Sequence, residues 1–254
     1  MATRRDFDVA TFVLVHGAWH GGWCWDEVAP LLRKAGHHVF APDLPGMGND
    51  KTPLEKVDLS AWTLFVSDLV VQAFEPVVLV GHSRGGIVIS EVAEIVPDRI
   101  QTLVYLAAFL VPNGKTLADM LASAPANPVA NGAIVMGGDG RSSTIAPAKV
   151  APVFYNTTPA SLSARAAALL GPEPMMSFTT PLRTSAARYG RVKRAYIECT
   201  QDNAIPVALQ RAMQQALPCK PVVTLDTDHS PFFSAPEALC RALIDIAAET
   251  SIKS

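Results

Sequence analysis

The sequence predicts an α/β protein with a mostly parallel central sheet, helices on both faces, and an inserted cap. Three observations carry that prediction. Short β-branched runs such as TFVLV, PVVLV and RAYIE alternate with helical patterns along most of the chain. These runs are apolar throughout rather than at every second residue, as strands covered on both faces must be. The alternation fails once, between Leu110 and about Arg188, in a stretch rich in Ala, Pro, Ser and Met with few charges. A chain of 254 residues, 49% hydrophobic and 17% charged, has material for one large core carrying an insertion. The core is therefore expected at 1–109 and 189–254, and the cap at 110–188.

The first strand is Ala10 to Val15, ending in the loop HGAWHGGWCW. Basic residues precede it, but FVLV is too short for the apolar core of a signal peptide and ends in His-Gly rather than a cleavage site. It reads as a buried strand. A helix over Val28–Lys34 stops at Gly36. HHVFAPDLPGMG gives a short strand and a turn-rich loop. Leu59 to Phe74 has helical spacing, with Ser60 a candidate N-cap. Pro76 opens the strand PVVLVGH, a helix over Ile87–Val96 follows, and Ile100–Ala107 is the next strand. Within the insertion, ANPVANGAIVMGGDGRSS reads as loop and LSARAAALL as a short helix between Pro159 and Gly171–Pro172. The insertion leaves the core after a strand's C-terminal end, which favours a lid over a crevice. The pattern resumes with the strand VKRAYIECT, then a helix over Ile205–Leu217 with Pro206 in its first turn. PVVTL is the last strand and Pro236–Ala248 the last helix.

Net charge is −2 and the pI is near 6.3, so no pull toward nucleic acid or anionic lipid is implied. No apolar run is long enough to cross a bilayer. Cys24, Cys199, Cys219 and Cys240 are dispersed, with no CxxC pair. This argues against a disulfide framework or structural zinc and fits reduced thiols in a cytoplasmic protein. Nothing in the sequence excludes a homodimer.

The chemistry concentrates at strand ends. GHSRG satisfies G-x-S-x-G and sits after a β-branched strand and before a helix. That context makes Ser83 a candidate nucleophile: small neighbours permit a sharp turn that lifts its hydroxyl clear of the sheet. His82 reads as a packed or hydrogen-bonded neighbour. The loop HGAWHGG also follows a strand. An oxyanion needs two backbone N–H groups aimed at one point, and Arg84 and Ala18 are the candidates, with Gly17 allowing close approach. His16 and His20 have HxxxH spacing, but glycines lie within and beside the segment and no HExxH exists, so no metal is expected.

A serine hydroxyl needs a base. Of the six histidines, His229 lies in a loop after a late strand and has no better structural explanation. Its partner carboxylate is open between candidates. Asp228 is its chain neighbour and diverges from it. Asp226, two residues away, is conceivable. Asp202, in ECTQDNAIP, follows a core strand and precedes a helix, and the order Ser83, Asp202, His229 is that of a known triad architecture. Asp202 is favoured, with Asp226 its rival. Trp19, Phe109, Phe154, Met175, Met176 and Phe232 are candidates for an apolar pocket between elbow and cap.

These residues resemble the α/β-hydrolase superfamily, on the branch of plant methylesterases and hydroxynitrile lyases. FVLVHGAWHGGWCW, PLLRKAGHHVFAPDLPGMG, LVGHSRGG, QDNAIP and DHSPFFS carry the resemblance. It spans the chain, with the cap matching least. It implies a Ser83–His229–Asp202 triad with the amides of Ala18 and Arg84 as oxyanion hole, no cofactor, and a small-molecule substrate. The lyases carry a threonine at the position of Gly17, a lysine at Ser230 and GESCG at GHSRG. These departures imply hydrolysis of a small to medium, largely apolar carboxylic ester through an acyl-enzyme. Lyase or other C–C, amide or lactone cleavage is the alternative, as is a non-catalytic binding protein.

Overall fold

The computed structural model describes residues 9–251. The chain begins β1 (Thr11–Val15), α1 (Ala29–Lys34), β2 (His38–Phe40), α2 (Leu59–Gln72), β3 (Val77–His82), α3 (Gly85–Ile95) and β4 (Ile100–Leu106). The insertion follows with α4 (Leu117–Ser123), β5 (Ile134–Met136), β6 (Ser142–Ile145), α5 (Pro147–Phe154), α6 (Ala160–Leu169), β7 (Glu173–Pro174) and α7 (Met176–Thr179). Core elements then resume with β8 (Arg194–Cys199), α8 (Val207–Ala216), β9 (Val222–Leu225), α9 (Pro231–Ser234) and α10 (Pro236–Thr250).

The six-stranded sheet has the order β2-β1-β3-β4-β8-β9, with every neighbouring pair parallel. Burial explains the unbroken apolar runs: β3 is buried along its whole length, while the edge strands β2 and β9 are partly exposed. The chain leaves β1 toward β2 on one side and returns as β3 on the other. Strand order therefore reverses between β1 and β3, and the loops after these two strands emerge side by side. A crevice outside the carboxyl ends of the strands is where such a sheet binds ligands.

Local chemistry sets the helix ends, and not always as the sequence suggests. Ser60 does not cap α2. Asp58 does, its Oδ1 accepting from the Ala61 amide at 2.7 Å, because that amide is at the third helical position and lacks an intrahelical partner. Pro206 sits at the N-cap of α8, just outside the helix. α1 ends where Gly36 takes φ +100. α3 begins at Gly85, two residues before Ile87, since the chain turns into the helix directly after Ser83 and Arg84.

The stretch ANPVANGAIVMGGDGRSS is not all loop. It contains β5 and the start of β6, which pair antiparallel, and β7 pairs with β6 to complete a second sheet of three strands. Gly140, at φ +68, turns the chain between β5 and β6. The strands are short, the β5 side chains are all exposed, and the buried positions of β6 are Ser143 and Ile145, so no apolar alternation marks either strand. All four cysteines are unpaired. Among the described residues no helix is long and apolar enough to cross a membrane.

Candidate active site

β3 ends at His82, and Ser83 follows with φ +53, a backbone region that non-glycine residues rarely adopt. The turn holds because its neighbours are glycines. A Cβ on Gly81 would stand 2.7 Å from the Gly85 carbonyl oxygen, and one on Gly86 would stand 2.2 Å from the Phe109 carbonyl oxygen. The Ser83 amide donates to Leu106 O at 3.2 Å, which ties the elbow to β4.

His229 lies in the loop between β9 and α9. Its Nδ1 is 2.8 Å from Asp202 Oδ2, and both side chains are buried. Asp202 is itself fixed: its Oδ1 accepts from the amides of Ala204 and Ile205 at 2.7 and 2.8 Å, and Oδ2 accepts from Gln210 Nε2 at 3.1 Å. With Nδ1–H donating to the carboxylate, Nε2 is left as the acceptor nitrogen. Asp226 faces elsewhere, accepting from Thr200 Oγ1 and Gln201 Nε2 on the surface. Asp228 is buried and accepts from the Thr157 amide, Thr158 Oγ1, the Ser230 amide and Ser234 Oγ. It ties the histidine loop to the insertion and is not a partner of the His229 ring.

His82 supports this arrangement. Its Nε2–H donates to the His229 carbonyl at 2.8 Å, and the two rings lie 4.6 Å apart. Burial, reinforced by His229, holds His82 well below the usual histidine range, so it stays neutral.

The loop after β1 is held as tightly. Among the described residues, neither the Ala18 amide nor the Arg84 amide has a protein acceptor. His16 accepts the Leu44 amide on Nε2 at 3.1 Å and donates from Nδ1 to Gly17 O at 2.9 Å. His20 donates from Nδ1 to Ala18 O at 2.7 Å and accepts from Tyr155 Oη on Nε2 at 2.8 Å. Burial is the first cause lowering both, and His20 falls to about 4. The HxxxH pair thus spends its four ring nitrogens shaping the loop. Among the described residues no group of three or more His, Cys, Asp or Glu could hold a metal ion.

Arg84 neither faces outward nor presents a free charge. Its Nε donates to Glu173 Oε1 at 2.9 Å and its Nη2 to Gly17 O at 3.1 Å, while the guanidinium lies 4.0 Å over the Trp62 ring. Exposure is 1% for Arg84 and 0% for Glu173. Burial pulls Arg84 below its ordinary value and pushes Glu173 above its own, and each holds the other charged. Glu173, His20, Tyr155 and Gln210 were not legible as site residues. The HxxxH spacing was the one available signal, and with no metal expected there it suggested no other role for His20.

A cavity of about 100 Å³ opens at this point, lined by Ala18, Trp19, Ser83, Arg84, Phe109 and Phe154 among others. Its remaining walls are apolar and include Val153, Phe178 and Ile205. A wider groove of about 550 Å³ shares Leu121, Ala130 and Ala204 with it. Three expected wall residues lie elsewhere. Met176 is 51% exposed, and Met175 is partly buried against the core away from the cavity. Phe232 is fully buried against His82 and Trp25, at ring distances of 4.9 and 5.4 Å. Apolar residues near a cavity are needed as much behind its wall as on it.

A serine at a strained strand–helix elbow, with a carboxylate-held histidine in a later loop of a parallel sheet, is the arrangement of an α/β hydrolase. The alpha/beta hydrolase family matches residues 12–242, and this chain belongs to that family, on the branch containing the plant methylesterases. Methylesterase 7 of Arabidopsis thaliana is 34% identical over 249 residues, covering 93% of this chain and 95% of its own. The pyrethroid hydrolase of Sphingobium wenxiniae is 34% identical over 247 residues, covering 94% and 88%. A longer chloroplastic relative from Arabidopsis thaliana is 35% identical over 253 residues, and the chain spans 65% of its length. Among solved structures, polyneuridine aldehyde esterase superposes with a TM-score of 0.86 at 27% identity, covering 94% of this chain and 100% of its own.

Proposed function

We propose that this protein hydrolyses small to medium, largely apolar carboxylic esters through an acyl-enzyme on Ser83. The observation that carries the reading is the buried 2.8 Å contact between His229 Nδ1 and Asp202 Oδ2, in a loop neighbouring the strained Ser83 turn. Asp202 holds the ring with Nε2 free to take a proton. His229 takes the Ser83 proton as Ser83 attacks the ester carbonyl, and the oxyanion rests on the amides of Ala18 and Arg84. His229 then protonates the departing alcohol, and water releases the acyl group by the reverse sequence. Among the described residues Ser83 Oγ makes no hydrogen bond to His229, whose Nε2 is the ring nitrogen left to accept its proton.

The relatives support the reaction class, since their names are those of methylesterases and a pyrethroid hydrolase. The cavity supports the substrate class. The apolar cavity of about 100 Å³ encloses a small apolar end of the substrate, and the other end extends into the wider groove that shares its wall. Gly17 and Ser230 argue against cyanohydrin cleavage: the residues that distinguish lyases are missing, and a Cβ at Gly17 would stand 2.8 Å from Ser83 Cβ.

The test is a panel of p-nitrophenyl and methyl esters with wild type and Ser83→Ala. Wild type turns over apolar members, and Ser83→Ala reduces turnover to background while remaining folded. Hydrolysis that survives Ser83→Ala, or cyanide release from a cyanohydrin in place of ester cleavage, refutes the proposal.

A further inference from the structure

We propose that the buried Arg84–Glu173 pair is a clamp that aims the oxyanion hole, with both side chains acting as positioning residues. This rests on the reading of Ser83 and the Ala18 and Arg84 amides given above. The argument begins with the covalent geometry of one peptide. The Gly17 carbonyl and the Ala18 N–H belong to the same planar trans unit and point in opposite directions. Whatever fixes the Gly17 oxygen therefore aims the Ala18 N–H. Arg84 Nη2 donates to that oxygen at 3.1 Å. Arg84 thus supplies one donor of the hole from its own backbone and orients the other with its side chain. A cationic donor on the carbonyl also polarises the peptide and strengthens its N–H as a donor.

Glu173 completes the clamp from the insertion. Its Oε2 accepts from the Trp19 amide at 3.1 Å, which fixes the next peptide along. Its Oε1 accepts from Arg84 Nε and from Ser177 Oγ, both at 2.9 Å. Trp19 sits at φ +62 and needs such support. The insertion grips it three times, because the Gly171 amide also donates to Trp19 O at 2.9 Å and the Trp19 ring donates from Nε1 to Ser143 Oγ at 3.3 Å. The two peptides flanking Ala18 are thereby both engaged by one ion pair whose halves lie 89 residues apart, alongside His16 on Gly17 O and His20 on Ala18 O. A planar guanidinium can reach Glu173 and Gly17 O together, and a lysine ammonium on a flexible stem cannot hold that fork. The pair also makes the hole conditional on the insertion being docked: lifting β7 would leave Arg84 buried without its counter-charge and release Trp19.

Two variants test this. Glu173→Gln alone strands a buried charge and invites unfolding. The double variant R84M/E173M removes both charges together and refills the volume, and Arg84→Lys keeps a cation while losing the fork. Each is compared with wild type for kcat and KM on a p-nitrophenyl ester. Each is also compared for the inhibition constant of an apolar trifluoromethyl ketone, whose adduct with Ser83 carries the oxyanion. The clamp predicts folded proteins with kcat lower by about 10- to 100-fold and KM within a few-fold. It further predicts that the ketone binds more weakly by the same factor as kcat/KM falls, which general loosening of the fold would not produce. Wild-type kcat and ketone affinity in either folded variant overturn the clamp and leave the esterase reading intact. A wild type that neither hydrolyses the ester nor binds the ketone overturns both.

Discussion

Asp202→Asn isolates what the carboxylate does for His229. The substitution keeps the shape of the side chain. Oδ1 is occupied by the Ala204 and Ile205 amides, so the asparagine oxygen stays there and its NH₂ takes the place of Oδ2. That position faces His229 Nδ1 at 2.8 Å and Gln210 Nε2 at 3.1 Å. An NH₂ cannot accept from either. His229 must then present Nδ1 as an acceptor and move its proton to Nε2, which leaves no lone pair there to receive the Ser83 proton. The catalytic tautomer is lost while the backbone anchors survive. By the precedent of triads carrying the same change, kcat should fall by about 10⁴-fold, which corresponds to about 5.4 kcal/mol of transition-state stabilisation. The assay is kcat on the best p-nitrophenyl ester at neutral pH, with a thermal melt to establish folding. Asp226→Asn is the control, since its carboxylate meets only Thr200 and Gln201 on the surface. A kcat for Asp202→Asn within tenfold of wild type, or an equal loss in Asp226→Asn, would refute the reasoning.

Gly17→Thr, which installs the lyase-type residue, should cost at least about 100-fold in ester turnover and produce no cyanide release. Its Cβ would stand 2.8 Å from Ser83 Cβ and 2.9 Å from His82 Nδ1, and sub-ångström displacement of a reacting group is expensive. Asp228→Ala should destabilise the protein by about 3 kcal/mol or more in urea unfolding, because it orphans the Thr157 and Ser230 amides and two hydroxyls around a buried carboxylate. His20 predicts an acid limit. Its native value is lowered to about 4 from 6.5, so the unfolded chain binds a proton that the native state refuses between those values. The His20 contribution to stability is complete above pH 6.5 and falls by about 3 kcal/mol as the pH drops to 4. His20→Gln should flatten that stretch of the stability–pH curve.

The elements that were legible in sequence are those specified by contacts between near neighbours. The strand–elbow–helix around Ser83 is one: Gly81 is demanded by a clash with Gly85 four residues on, and the run of small residues is visible in the chain even though Gly85 and Gly86 are demanded by the end of β1 and by Phe109. The parallel sheet is another, because burial on both faces leaves an unbroken apolar run such as β3. Asp202 could be separated from Asp226 as a candidate because position relative to strand and helix is itself a local property. Even locally, a close competition can go the other way, as where Asp58 takes the cap of α2 from Ser60. The short strands β5 and β6 lacked any apolar pattern because β5 is exposed throughout and one of the two buried positions of β6 is a serine.

By itself, then, the sequence determined the layered sheet, the sharp turn at Ser83 and the order in which the candidate serine, acid and base occur. Each leaves a local mark in the chain: an unbroken apolar run, a cluster of small residues, or a residue's place just after a strand. The tertiary structure alone decided which apolar side chains face the cavity, which groups His16 and His20 hydrogen-bond to, and that Arg84 is buried against Glu173. Those outcomes depend on which surfaces the topology brings together. The place of the Arg84 side chain, toward the pocket or outward, stays open in the sequence until the chain has passed through the insertion and returned Glu173 to it, because a buried charge is tolerated only where a distant counter-charge arrives.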